Sequence, residues 1–342
     1  MLKNYSSKDI INDKDIQKNF LNAEIKELKL NCNIYKGNFY LDSFNYFVVN
    51  EKYNTFNSLF TRDVNHNNEH FYSVDFFNNF KNNIEDFKEF KNVFILGSNA
   101  ANNYYSNLIQ FLPRIFFANN NNLQIAIHRN SSIKFREFIK LILNKKNINF
   151  SFVYLDDGFY KFINSTIPQF FNLNVSIKIL KNLLIPKNIK NEDKKIYVTR
   201  EDSAYRKIIN EADIIPILRS KGYKVINPQL YSLDEQIRIF SQANIIVAPH
   251  GSNLANIIFC KPGTKIYEIG PEFKKGYENF FESRYKTLAE ISNLKYFRFL
   301  SDTVQVENHS DLATKYIDKK ILSNSNYYKN LIVKVKDIEA IE

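Results

Sequence analysis

Twice along the chain, short apolar runs alternate with amphipathic stretches, and a polar segment separates the two series. In the first series, residues 93–97 (VFILG) are an apolar run closed by glycine, the pattern of a buried parallel strand. Residues 103–117 then place Leu108, Leu112, Ile115 and Phe116 at helical spacing. Residues 123–127 read as a second strand, 133–143 as a second helix and 148–155 as a third strand. The segment 186–194 (PKNIKNEDK) is polar apart from Ile189 and reads as a linker.

Beyond the linker the alternation restarts with a strand at 195–199. A helical segment is expected over 203–221, its second part capped by Asp213 so that Pro216 falls in the first turn, with Gly222 ending it. Residues 223–226 form the next strand. Ser232, with Glu235 three residues on, is a capping box for a helix whose buried face carries Ile237 and Phe240. Strands follow at 244–248 and 265–269, a helix opens at 250–253, and another spans 277–288. Such alternation builds parallel α/β sheets.

Two series predict an α/β protein of two Rossmann-like domains facing a cleft, and 342 residues suffice for two cores. The first domain is placed at 1–185, with an antiparallel preface read from short strands at 33–35, 46–49 and 71–76. The second is placed at 194–320. The tail, 321–342, is read as a helix packing back across the domains.

The chain carries 47 Lys and Arg against 36 Asp and Glu, a net charge of +11, so anionic partners are favoured. The cations are scattered rather than blocked, which argues against nucleic acid. Its two cysteines, Cys32 and Cys260, build neither a disulfide framework nor a zinc site. The polar start, MLKNYSSKDIINDKDIQKNF, lacks the apolar stretch of a signal peptide. No apolar run approaches the ~18–20 residues of a membrane span. A cytoplasmic protein is expected, with peripheral contact to an anionic membrane face compatible with its charge. The abundance of Ile, Lys and Asn reads as an AT-rich coding genome.

Chemistry concentrates at strand ends in the second series. The turn His250-Gly251-Ser252-Asn253 follows one apolar strand and opens a helix. Helix N-termini outside the carboxyl ends of parallel strands bind anions. Gly251 allows close backbone approach, and His250, Ser252 and Asn253 add donors; the same turn also fits a simple cap. Glu268, ending the next strand, suits two ribose hydroxyls or a surface position. Arg200 and Arg206 are placed to neutralise a diphosphate, or to pair with Glu201 and Glu211. In the first series, Asp156-Asp157 before Gly158 sit on a strand-end loop, where they suit either a turn or general-base work. No Walker loop, HExxH, GxSxG or strand-following GxGxxG is present.

Residues 196–270 resemble the catalytic domain of glycosyltransferase family 61. The likeness rests on Tyr197-Val198-Thr199-Arg200, Arg206 with Asn210-Glu211, Leu233 to Ile237, Ala243 to Val247, His250 to Asn256, Phe259, Pro262-Gly263-Thr264 and Glu268-Ile269. It reaches more weakly to Asn103-Tyr104-Tyr105 and Leu112-Pro113-Arg114. Similar members carry a His at the position of Ser106 and an acid at that of Gln110. The resemblance implies a GT-B architecture, a nucleoside-diphosphate sugar bound by the C-terminal domain, a glycan or lipid-linked glycan acceptor, and neither cofactor nor metal. Arg200, Arg206 and residues 250–253 would hold the diphosphate, Glu268 the ribose, and Asn210, Glu211 and Asn256 would order that shell. Asp156 or Asp157 is the candidate base. Bacterial surface-polysaccharide synthesis, capsule or lipopolysaccharide, is the expected setting. A polyol-phosphate transferase of the same pathway and an inactive glycan-binding relative are the alternatives.

Overall fold

The computed structural model describes residues 10–11, 20–25, 30–44, 46–50, 55–56, 87–98, 102–186, 194–273, 279–306 and 325–342. The chain divides into two compact units, Met1–Ile179 and Leu180–Glu342. The strand expected at 71–76 and most of the expected linker lie outside the described residues.

The first unit contains strands β1 (Ile10–Ile11), β2 (Phe20–Ile25), β3 (Leu30–Asp42), β4 (Phe47–Asn50), β5 (Thr55–Phe56), β6 (Lys88–Lys91), β7 (Val93–Ile95), β8 (Leu123–His128), β9 (Phe150–Leu155) and β10 (Phe159–Pro168). Its main sheet runs β2-β3-β10-β7-β8-β9, with β4 on β3 and β6 on β10. The β10-β7-β8-β9 stretch is parallel, and β2, β3 and β4 join it as the antiparallel preface. Val93, Phe94, Ile95, Ile125, Ala126 and Ile127 are buried, as an apolar run covered on both faces must be. Strand β10 was not read from the sequence. Its residues FYKFINSTIP mix polar and apolar side chains, and Asn164 breaks the run with a left-handed φ of 46°.

Helix α1 (Ile133–Lys145) lies where expected, capped by Ser132. The helix expected over 103–117 is not continuous. One α-turn (Tyr104–Ser106) passes into a π-helix (Asn107–Phe111) and then a 3-10 helix (Leu112–Phe117). Pro113, which has no N–H to give to an α-helical ladder, sits at the start of the 3-10 stretch. Helix α2 (Leu173–Leu184) carries the chain from one unit into the next.

The second unit contains β11 (Lys194–Val198), β12 (Tyr223–Ile226), β13 (Ala243–Pro249), β14 (Lys265–Pro271), β15 (Lys295–Val304) and β16 (Asn330–Ile332). They form one sheet, β12-β11-β13-β14-β15-β16, parallel except that β16 runs against β15. Helices α3 (Glu211–Ser220), α4 (Leu233–Gln242) and α5 (Asn279–Ile291) and a 3-10 helix (Ser252–Phe259) connect the parallel strands. The capping box of Ser232 and Glu235 is formed, each partner bonding the other's backbone.

Two expectations are corrected here. Residues 203–210 are not helical: Arg206 adopts a left-handed φ of 57°, and Ile208 bridges to Leu331. The helix therefore starts after Asn210, and Pro216 lies inside it rather than in the first turn. The missing N–H leaves the Ala212 carbonyl to solvent, and both residues are exposed. The tail is not one helix. It holds a 3-10 turn (Asn326–Tyr328), strand β16 and a short helix α6 (Val335–Glu339). Leu331, Val333, Ile338 and Ile341 are buried in one core with Ile214, Leu218, Tyr197, Val247 and Ile269.

Candidate functional site

In the second unit the strand order reverses between β11 and β13. The chain goes from β11 outward to β12, then crosses to β13 on the other side. In open α/β sheets, that reversal opens a crevice at the carboxyl ends of the two strands, where ligands bind. Thr199 and Arg200 follow β11, and His250 and Gly251 follow β13, so both loops meet there. Gly251 has extended backbone, but a Cβ would overlap the Arg200 guanidinium. Ser252 and Asn253, half-buried, begin the 3-10 helix.

The His250 ring is completely buried. Its Nδ1 lies 2.5 Å from Glu268 Oε1, and Tyr296 Oη donates to Glu268 Oε2 over 2.8 Å. Phe273, Tyr285 and Tyr327 meet the ring edge-on at 5.0, 5.0 and 5.7 Å between centroids. Burial pushes the imidazole pKa down to about 4 against the pull of Glu268, and the charges of Arg206 and Arg284 add to the depression. His250 Nε2 has no hydrogen-bond partner among the described residues.

Two buried arginines flank this turn. Arg206 is buried; its Nε donates to the His250 carbonyl (2.7 Å) and its Nη1 to the Tyr327 carbonyl (2.5 Å). Its guanidinium lies over the Tyr327 and Tyr205 rings at 3.8 and 4.6 Å. Arg200 donates from Nη2 to the Tyr205 carbonyl, while its buried Nε has no partner among the described residues. Burial, reinforced by Arg206, pushes Arg200 down to about 10. Burial would raise the Tyr327 phenol, but Arg206, Arg284 and Arg200 outweigh it and hold the pKa below its ordinary value. No described carboxylate bonds Arg200 or Arg206. Buried cations without a carboxylate partner are costly unless an anion joins them.

The other expected residues support this edge. Glu211 accepts from Tyr197 Oη (2.6 Å) and Thr199 Oγ1 (2.7 Å), fixing the end of β11. The Asn210 amide donates to the Val333 carbonyl and accepts from its N–H, holding the tail. Asn256 is buried, its Nδ2 3.5 Å from Gln236 Oε1. Glu268, expected to meet a ribose, points both oxygens inward to His250 and Tyr296.

Asp156 and Asp157 lie in the first unit, in the three-residue link between β9 and β10. Arg129 Nε donates to Asp156 Oδ1 at 2.5 Å, and that bond holds the exposed carboxyl below its ordinary pKa. Asp157 Oδ1 lies 2.9 Å from Nε2 of buried His128. The Asn130 N–H donates to His128 Nδ1, so Nε2 carries the proton and donates to Asp157.

The family model for glycosyltransferase 61 matches residues 90–267, slightly more than half of the 342 residues. The chain belongs to this family. No curated protein matches it. In this glycosyltransferase 61 member the matched stretch holds Asp156, Asp157, Arg200, Arg206, Asn210, Glu211, residues 250–253 and Asn256, and ends one residue before Glu268.

Within the match, Arg114 is a buried brace of the glycosyltransferase's first sheet. It donates to the carbonyls of Ile95, Leu96 and Pro168 and to Tyr46 Oη, at the ends of β7 and β10. Ser106 closes the α-turn and Gln110 lies in the π-helix, so the two family departures fall on the irregular segment. Sequence reasoning missed His128, Tyr296 and Tyr327. His128 was within reach, one residue past an expected strand. Tyr327 was not, because only the fold of the tail brings it to Arg206. No described helix is long and apolar enough to cross a membrane.

Proposed function

We propose that this chain transfers a sugar from a nucleoside-diphosphate sugar to a hydroxyl of a glycan acceptor. The observation that carries the reading is the strand reversal between β11 and β13, where two buried arginines without carboxylate partners meet a helix-opening turn. An anion with two adjacent phosphates suits such a site, by charge and by the N–H groups of the turn. Arg200, Arg206 and residues 250–253 are its binding groups. Asn210, Glu211, Asn256 and Glu268 order them. Glu268 acts from behind His250 rather than on a ribose.

In the reaction the departing diphosphate gathers negative charge, and prepositioned cations and N–H groups stabilise it without a metal. The acceptor hydroxyl loses its proton to a base on the acceptor side, for which Asp157, bonded to neutral His128, is a better candidate than Asp156, whose carboxylate is taken by Arg129. The reading assigns the donor to residues 194–320 and the acceptor to residues 1–185, the GT-B division of labour. Its setting is bacterial surface-polysaccharide synthesis on a lipid-linked acceptor, with the +11 charge favouring the anionic inner membrane face.

Thermal stabilisation by UDP, GDP, CDP, CMP and ADP, with and without EDTA, tests this. A ligand of the folded state raises Tm by mass action. One nucleoside diphosphate should stabilise the protein equally in EDTA, and Gly251→Ala should need higher nucleotide concentrations for the same shift. Stabilisation by CMP or CDP alone would favour a polyol-phosphate donor or a CMP-sugar donor. No shift at millimolar nucleotide would overturn the donor site.

A further inference from the structure

The two nitrogens of His250 have unlike surroundings. Nδ1 faces Glu268, whose second oxygen already accepts from Tyr296. A carboxylate accepts and does not donate, so Nδ1 carries a proton. In a neutral imidazole this leaves Nε2 as a bare lone pair, and that atom is buried without a partner among the described residues. A phosphate oxygen brings only lone pairs to it. Neutral His250 therefore repels the anion that the surrounding cations attract.

Burial keeps the ring neutral, and the charges of Arg206 and Arg284 add to it. Arg206 bonds its carbonyl, Arg284 acts on it from α5, Arg200 lies across Gly251, and Arg298 with His250 borders Gly270. Tyr285 on α5 and Tyr327 on the tail complete the wall. Glu268 is the carboxylate on the ring itself, and it lies on the Nδ1 side. Adding a diphosphate on the other side reverses the balance: an imidazolium would then lie between two anions.

Resting on the donor-site reading above, we infer that His250 takes up one proton from solvent when the diphosphate binds, donating from Nε2 to a phosphate oxygen while Glu268 serves as its counter-charge. Donor binding and protonation of this imidazole are one coupled event. Glu268 and Tyr296 are positioning residues, acting on the ligand only through the ring.

Titration calorimetry of the full chain with the stabilising nucleoside diphosphate tests this at pH 7.5, in buffers of different ionisation enthalpy. That pH lies above the ordinary titration of the ligand's own phosphate. The expected result is uptake of close to one proton per site, with Kd weakening about tenfold per pH unit above pH 7.5. His250→Gln places a non-titrating amide N–H at the same position, and should bind without proton uptake and with a flat pH profile. Glu268→Gln removes the counter-charge and should reduce the uptake, which covers the case of a His250→Gln protein that does not fold. Binding with the same heat in every buffer overturns the coupling and leaves the donor site standing. Uptake unchanged in His250→Gln assigns the proton to another group and also overturns it. Absence of binding by any nucleoside diphosphate removes the donor site, and this inference with it.

Discussion

Arg206 holds Tyr327 twice, donating to its carbonyl at 2.5 Å and lying 3.8 Å from its ring centroid. The same guanidinium donates to the carbonyl of His250, so one side chain ties the tail to the turn after β13. Hydrogen bonds to a charged donor are each worth roughly 1.5–3 kcal/mol. Arg206→Ala should therefore cost roughly 3–5 kcal/mol, a fall in Tm on the order of 10 °C. Arg206→Lys keeps the charge but not the fork that reaches both carbonyls, and should recover less than half of the loss. Differential scanning calorimetry of the three proteins checks this, and a wild-type Tm in Arg206→Ala would count against the clamp.

Gly251→Ala separates binding from stability. The backbone there is extended, so alanine brings no φ strain, but its Cβ would take the place of the Arg200 guanidinium. A flexible side-chain end can swing away, so the stability change should stay within about 1 kcal/mol. Losing one charge-assisted contact to the diphosphate should weaken nucleotide binding by roughly tenfold to a hundredfold. Nucleotide titrations followed by thermal shift give both numbers, and unchanged affinity would remove Arg200 from the binding site.

The parallel strands of both units were legible because a strand buried on both faces needs a continuous apolar run, as 93–95, 125–127 and 245–248 supply. The turn 250–253 was legible as a strand-to-helix link, because an apolar strand ends just before Gly251 and a helical stretch begins just after it. What escaped depends on contacts distant in sequence. Strand β10 is held between β3 and β7, and its own residues do not alternate cleanly. The tail was misread as a helix because its strand exists only by pairing with β15. Glu268 was read as facing outward because nothing in its neighbours announces that Tyr296, a strand away, takes its second oxygen. The helix does not reach back to residue 203 because Arg206 adopts a left-handed backbone, which a helix does not admit and which nothing in the neighbouring residues announces.

The tail is part of the second core. Leu331, Val333, Ile338 and Ile341 are all buried there. Burying such side chains contributes about 1.5–3 kcal/mol each, so the four together rival the whole stability of an ordinary domain, roughly 5–15 kcal/mol. A chain ending at residue 329 should be recovered insoluble or without cooperative unfolding. Asn210→Ala is the milder test: it removes both bonds to the Val333 backbone and should cost about 1–3 kcal/mol in urea denaturation. A soluble, cooperatively folding truncation would contradict this placement.

His250 gives the stability a defined pH dependence. Burial holds its folded-state pKa at about 4, below the ordinary 6.5. As pH falls below the ordinary value the unfolded chain takes the proton first, while the folded ring stays neutral. Stability is complete above pH 6.5 and is lost progressively down to about pH 4, by roughly 3 kcal/mol from this residue. The carboxylates titrate in the same range, so the quantity to measure is the difference between wild type and His250→Gln in urea midpoints at pH 7.5 and 4.5. The variant should lose less stability across that interval. The ligand reverses the sign. If the bound diphosphate requires the imidazolium, the stabilisation it confers must grow as pH falls from 8.5 to 7.5, where the free protein keeps the ring neutral. Opposite slopes from one residue, acid-sensitive when empty and acid-favoured when occupied, cannot come from a histidine that merely fills a hole in the core. Parallel slopes with and without nucleotide would assign it that lesser role.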